Sequence, residues 1–176
     1  MNNGRSFRDV DLTRDEEGRV FIRKQIVSAL LLALAASGFA QGKPDFSGEW
    51  TLNRQASTLS PAAAGIQSGD VRIEHRDPTF RYKAALKSET GTVEYEFEFQ
   101  SDGREVTGTQ QGMATVVSLR WEGEALILDS RIQRPNGEMK IVFRYELIDS
   151  GRRIRAVEQI RGAGRDQDNV WIFERR

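Results

Sequence analysis

With 176 residues, of which 38% are hydrophobic, the chain has enough apolar side chains for one core, so we expect one domain beyond the first 40 residues. The absence of cysteine excludes disulfides, thiolate nucleophiles, thiolate metal sites and lipid-modified cysteines. Positive and negative side chains number 26 each, which argues against a nucleic-acid partner, whose binding depends on neutralising phosphates.

Residues 23–40, RKQIVSALLLALAASGFA, have the pattern of a secretory signal peptide. Arg23 and Lys24 precede an apolar run that is short for a bilayer crossing, and small residues follow at Gly38 and Ala40. We therefore predict cleavage after Ala40 and a secreted or periplasmic protein without a stable membrane anchor. The alternative is an amino-terminal anchor that stays attached.

The polar stretch before this run has no periodic apolar face, so we expect it not to fold by itself. Either the leader is unusually extended or translation starts downstream, near Val20. Removing residues 1–40 takes away six of the 26 positive and five of the 26 negative side chains, which leaves a net charge of −1. This balance also disfavours attachment to an anionic membrane surface.

The remaining residues, 41–176, alternate between apolar and polar side chains, which is typical of half-buried β-strands. Residues 92–100, TVEYEFEFQ, show this most clearly, and residues 138–147 repeat it. Turn residues separate most of the segments, and Asn136-Gly137 is the strongest hairpin signal. The candidate strands are 46–53, 70–76, 79–87, 92–100, 104–109, 113–121, 125–133, 138–147, 152–161 and 169–175.

These segments predict an all-β protein, an antiparallel up-and-down β-barrel of about eight to ten strands. A flat meander of this length would leave two exposed edges and one wet apolar face, and closure into a barrel removes both. Residues 53–69 break the pattern with alanines and serines. We expect them either to lie across one mouth of the barrel or to form a connection without a role in binding.

The stretch DFSGEW at 45–50 opens the first strand, and with the strands that follow it the chain resembles the calycin superfamily of lipocalins and fatty-acid-binding proteins. The resemblance covers residues 44–176 and is greatest to secreted bacterial lipocalin-like proteins. It implies that Trp50 closes the bottom of the barrel and that Arg175, with Arg176 as the substitute, lies over its ring. Gly48 would let the backbone come close.

Catalytic chemistry has little support in the sequence. His75 is the single histidine and no G-x-S-x-G motif occurs, so we expect no catalytic residues, no cofactor and no metal site. Residues 164–169, GRDQDN, lack the mid-loop glycine and terminal glutamate of a calcium loop, and we interpret them as a hairpin turn. The protein is therefore predicted not to be an enzyme.

Polar side chains that fall within apolar rows are the candidates for binding a ligand. Glu158 shares a face with Ile154 and Ile160, and His75 is in phase with Val71 and Ile73. A buried ionisable group needs a partner, so these side chains either anchor the polar end of a ligand or reach water near a barrel mouth. The polar candidates are Glu158, His75, Tyr82, Tyr95 and Tyr145, and the apolar lining candidates are Phe97, Phe99, Phe143 and Trp121.

Fatty-acid-binding proteins hold a carboxylate with an arginine and a tyrosine on the last strand, where this chain has Trp171 and Phe173. A neutral or basic apolar ligand therefore suits Glu158 better than a fatty acid. The predicted function is binding of a small hydrophobic molecule without catalysis. The alternative is a solid barrel that acts as a protein-binding module, such as an inhibitor or an envelope component.

Overall fold

The computed structural model describes residues 42–110 and 112–176, which form ten β-strands. The signal peptide, the polar leader and the cleavage site predicted above lie outside these residues. The strands are β1 (Gly48–Leu52), β2 (Ile66–Arg76), β3 (Thr79–Ser88), β4 (Gly91–Gln100), β5 (Val106–Gln110), β6 (Met113–Glu122), β7 (Ala125–Arg134), β8 (Gly137–Ile148), β9 (Arg153–Gly162) and β10 (Gln167–Arg175).

The strands form one curled antiparallel sheet in the order β4-β3-β2-β1-β10-β9-β8-β7-β6-β5. Strands that follow each other in sequence pair as neighbours except across β4 and β5, and β1 pairs with β10 to join the two ends of the chain. The predicted all-β, up-and-down architecture is confirmed.

The ladder is open between β4 and β5, which are the two edges of the sheet in the described residues. The link between them turns onto β6 instead, since Asp102 bridges Arg120 and the amide of Gly103 donates to the carbonyl of Leu119. The hydrogen-bonded ladder therefore does not close, and the sheet has two edge strands, contrary to the expectation that closure removes them. This opening decides which inward-facing side chains meet solvent.

The core lies on the concave face, because the apolar side chains of most strands alternate towards that side. The largest fully buried side chains are Trp50, Phe46, Phe80, Ile73, Leu119, Leu126, Ile154 and Asn169. Opposite walls of the sheet meet in the interior, where the ring centres of Tyr82 on β3 and Tyr145 on β8 are 6.2 Å apart. Burial of each large apolar side chain contributes roughly 1.5–3 kcal/mol, which holds the curled sheet together without disulfides.

Residues 53–65, the mouth segment, connect β1 to β2 through a series of turns. Thr58 pairs with Val170 of β10 through two backbone hydrogen bonds, and Leu59 and Ala63 pack against the core. The mouth segment therefore covers the end of the sheet towards which β1 runs. Strand β2 begins at Ile66, earlier than the sequence predicts.

Candidate functional site: an aromatic cleft with a glutamate

One end of the barrel is closed by Trp50, whose side chain is fully buried. The guanidinium of Arg175 lies 4.2 Å from the centre of its ring, and Nη1 of Arg175 donates to the carbonyl of Ser47 at 2.6 Å. Gly48 has a φ of +138°, and a Cβ there would come within 2.7 Å of Nη1 of Arg175. A cation above an aromatic face stabilises such a contact by about 0.5–2 kcal/mol, so these three residues form a structural closure.

His75 lies at this closed end, in contact with the rings of Phe46, Phe80 and Trp121. Its side chain is only 3% exposed, and Nδ1 accepts a hydrogen bond from the backbone amide of Phe46 at 3.3 Å. Burial lowers the pKa of His75, while the carboxylates of Asp45 and Asp77 oppose that shift. These contacts make His75 a neutral, packed side chain.

Trp121, the predicted lining residue, also lies at the closed end. Its Nε1 donates to Oδ1 of Asp77 at 2.8 Å, and the ammonium of Lys43 lies 5.1 Å from its ring centre. The structure thus groups His75 with Trp121 and places both apart from Glu158, whose polar partners are on β10 at the other end. A single small head group cannot contact His75 and Glu158 together.

Glu158 points into the concave face from β9, opposite Asn169 on β10 and Phe143 on β8. Its Oε2 accepts hydrogen bonds from Nδ2 of Asn169 at 2.8 Å and from Nε1 of Trp171 at 3.0 Å. Burial raises the pKa of Glu158, and these two hydrogen bonds oppose that shift. The carboxyl group is therefore held in place by neutral donors.

The three predicted tyrosines lie on the same concave face as this carboxyl group. Burial raises the pKa of Tyr82, Tyr95 and Tyr145, and the negative charge of Glu158 raises all three further. None of the three hydroxyls has a hydrogen-bond partner among the described residues. A buried tyrosine hydroxyl normally has one, so these groups are available to a bound molecule or to water.

The aromatic lining residues continue from the tyrosines along two walls. Tyr82 stacks on Phe97 with ring centres 4.9 Å apart, and Phe97 contacts Phe99 at 5.4 Å. On the facing wall, Phe143 stacks on Tyr145 at 5.5 Å. The structure therefore brings Phe97, Phe99 and Phe143 onto the same concave face as Glu158.

This concave face is open to solvent where the sheet is open. Val93, Tyr95 and Val106 belong to the inward-facing rows of β4 and β5, yet they are 47%, 46% and 51% exposed. We call the surface formed by Val93, Tyr95, Phe97, Phe143 and Glu158 the cleft. Apolar side chains left exposed at a concave surface mark a place where another molecule can be bound.

Two depressions of the surface lie elsewhere. One, of about 480 Å³, is lined by Ser47, His75, Arg81 and Glu98 among others, and the second, of about 370 Å³, by Glu105, Asp129, Arg131 and Lys140 among others. Charged side chains of the outer face border both, and several of these pair with each other. The second lacks the apolar lining that a small-molecule site usually shows, whereas the first combines Ile73 and His75 with charged side chains.

Asn169 and Trp171 are parts of the site that sequence reasoning missed. Asn169 is 2% exposed, and besides donating to Glu158 it accepts a hydrogen bond from the amide of Ser60 at 2.6 Å. The signal was present, since Asn169 is a polar side chain in phase with Trp171 and Phe173. The same argument that selected Glu158 applies to it.

Within residues 42–110 and 112–176, no group of three or more histidine, aspartate or glutamate side chains is arranged to hold a metal ion. No helix among the described residues is long and apolar enough to cross a membrane.

The curled, antiparallel sheet of ten strands is similar to the fold of solved β-barrel proteins. The fluorescent protein UnaG matches with a TM-score of 0.52 at 13% identity, over 74% of this chain and 97% of that one. A secretory abundant heat soluble protein from Ramazzottius varieornatus matches with a TM-score of 0.50 at 12% identity, over 74% of this chain and 94% of that one. At these identities the similarity defines the fold alone.

Human cRBP IV is also matched, with a TM-score of 0.49 at 16% identity, over 76% of this chain and 99% of that one. No protein-family model matches the sequence. A search of curated proteins likewise finds no match.

Proposed function

We propose that this protein binds a small hydrophobic molecule in the cleft and releases it unchanged. The observation that supports this most is the exposure of Val93 and Tyr95 on a concave surface next to a partly buried carboxyl group. Most of the lining is aromatic, and the few polar groups are gathered at Glu158 and the three tyrosines. Small-molecule sites typically combine an apolar lining with a small number of polar groups.

The proposed location of this binding is outside the cytoplasm, in the periplasm or the medium. Support comes from the sequence pattern of residues 23–40 and from the absence of cysteine, which leaves the stability independent of the redox state of the compartment. Amino-terminal sequencing of the protein recovered from its own host tests this, with Gln41 expected as the first residue. An intact amino terminus in the cytoplasmic fraction would contradict it.

Native mass spectrometry tests the binding function directly. The protein purified from its own host should carry extra mass under native conditions that disappears on denaturation, because unfolding removes the cleft that holds the ligand. The control is the same protein after denaturation, extraction with organic solvent and refolding. A bare mass in both samples would favour the alternative, a protein-binding module that uses the open edges of β4 and β5.

A further inference from the structure

Glu158 is a carboxylate on a largely aromatic concave surface, and no lysine or arginine of the described residues forms an ion pair with it. Charged groups removed from water are normally paired with a group of opposite charge. On the outer face of the same sheet several carboxylates follow this pattern, as Glu98 pairs with Arg81 at 2.7 Å and Asp129 with Lys140 at 3.1 Å. Glu158 is partly buried, lacks such a partner among the described residues and faces the cleft.

The hydrogen bonds of Glu158 leave one side of the carboxyl group available. Both neutral donors, Asn169 and Trp171, bond to Oε2, whereas Oε1 accepts no hydrogen bond from the described residues and is not sealed off from solvent. The two hydrogen bonds fix the orientation of the carboxyl group and oppose the rise in pKa that burial causes. Oε1 is therefore the oxygen of Glu158 that remains for a ligand.

We propose that the ligand of the cleft carries an ammonium group, which Glu158 binds through Oε1. This inference rests on the proposed function and specifies the chemical class of the ligand. The hydroxyl oxygens of Tyr82, Tyr95 and Tyr145 accept hydrogen bonds from the remaining N–H groups. The apolar part of the ligand then lies along Phe97 and Phe143.

The aromatic walls suit a cation for a second reason. The face of an aromatic ring is electronegative and attracts an ammonium group within about 6 Å of its centre. Tyr82 and Phe97 on one wall, and Phe143 and Tyr145 on the other, are stacked in pairs, and each ring keeps one face that its stacking partner does not cover. A carboxylate ligand would meet the opposite conditions, since it would be repelled by Glu158 and by the ring faces.

The test compares three molecules with the same tail and different head groups: decylammonium and decanoate below their micellar concentrations, and decanol below its solubility limit. Isothermal titration calorimetry on the purified full chain should show decylammonium binding about tenfold or more tightly than decanol, with decanoate the weakest. The Glu158→Gln variant should bring the ratio of the first two affinities close to one. Glu94→Gln is the matched control, because Glu94 is an exposed carboxylate on the outer face of β4.

A measurement on the unmodified protein covers the case in which Glu158→Gln does not fold. An alkylammonium has a pKa near that of lysine, about 10.4, and stays charged between about pH 5 and 8. Acidification that protonates Glu158 should therefore weaken the binding of decylammonium and leave that of decanol unchanged. Parallel pH profiles for the two molecules would overturn the proposal.

The possible outcomes separate this inference from the proposed function. Equal affinities for the three molecules, or a preference for decanoate, would keep the cleft as a hydrophobic site and overturn the ammonium assignment. Failure of all three to bind would overturn both. A preference for decylammonium that Glu94→Gln removes and Glu158→Gln does not would assign the cation to the outer face and contradict the proposal.

Discussion

Individual inward-facing polar residues have different roles at the two ends of this barrel. Sequence alternation places His75 and Glu158 on the concave face in the same way, and nothing in their neighbours distinguishes them. In the structure His75 is packed among Phe46, Phe80 and Trp121, whereas Glu158 faces the open cleft. The position of a residue along the barrel axis depends on the stagger between strands. Alternation with a period of two shows which face a residue is on, but not this position.

The burial of His75 predicts that acid destabilises the protein. The folded state holds the imidazole neutral, because its pKa lies below the ordinary value of 6.5, whereas the unfolded chain takes up a proton as the pH falls through that value. Stability is therefore fully present above about pH 6.5 and is lost as the pH falls towards the pKa of the folded state, by at most about 1.4 kcal/mol per pH unit. Asp45 and Asp77, which face the ring, reduce this loss.

Urea unfolding measured from pH 8 to 5 checks this, with His75→Gln as the comparison. The variant should be less stable than the natural protein at pH 8, because the acceptor for the Phe46 amide is altered. Below pH 6.5 its free energy of unfolding should change less steeply with pH than that of the natural protein. Glu158 has the opposite effect on the pH dependence of stability, since a carboxyl group with a raised pKa gains a proton on folding. Because Glu158 is present in both proteins, the difference between the two slopes is caused by the loss of His75.

The strands themselves were largely predictable. Residues 92–100 alternate strictly and residues 138–147 alternate apart from Val142, and they correspond to β4 (Gly91–Gln100) and β8 (Gly137–Ile148). The start of β2 was missed because Gln67, Ser68 and Gly69 carry no alternation, and their extended conformation comes from pairing with β3. The break between β4 and β5 was not predictable, since alternation is the same for a paired strand and an unpaired edge.

The mouth segment and β10 are joined through Asn169, whose side chain connects the Ser60 amide to Glu158. Replacing Asn169 by alanine leaves the Ser60 amide without its acceptor and removes one donor from Glu158. We expect a loss of about 1–3 kcal/mol of stability, together with faster hydrogen exchange in residues 56–65. Asp168→Ala is the control, because among the described residues its side chain pairs only with Arg161 on the exposed face, and such pairs contribute at most about 1 kcal/mol.

Thermal unfolding and hydrogen exchange followed by mass spectrometry measure both effects. Exchange in β6, β7 and β8 should be the same in Asn169→Ala and in the natural protein, because these strands do not contact the mouth segment through this residue. Equal exchange in residues 56–65 of the two proteins would show that the segment is held by its other contacts, such as the pairing of Thr58 with Val170, and not by Asn169.

The sheet as a unit has two free edges, and these determine where it opens most readily. Each of the other eight described strands has hydrogen-bonded neighbours on both sides, whereas β4 pairs only with β3 and β5 only with β6. Amides that point away from the single neighbour have no partner in the ladder, and local opening of an edge breaks fewer contacts. The outer carboxylates of β4, at Glu94, Glu96 and Glu98, also oppose pairing of two copies along this edge.

Hydrogen exchange in the absence of ligand should therefore be at least about tenfold faster in residues 91–100 and 106–110 than in β7, β8 and β9, which corresponds to a local opening easier by about 1.4 kcal/mol. Addition of decylammonium should slow exchange in β4 and around Glu158 more than in β6 and β7, because the bound molecule bridges the wall formed by Tyr95 and Phe97 to that formed by Phe143. Uniform protection of all strands would instead mean that the ligand stabilises the fold without occupying the cleft, and unchanged exchange in β4 would exclude that edge from the site.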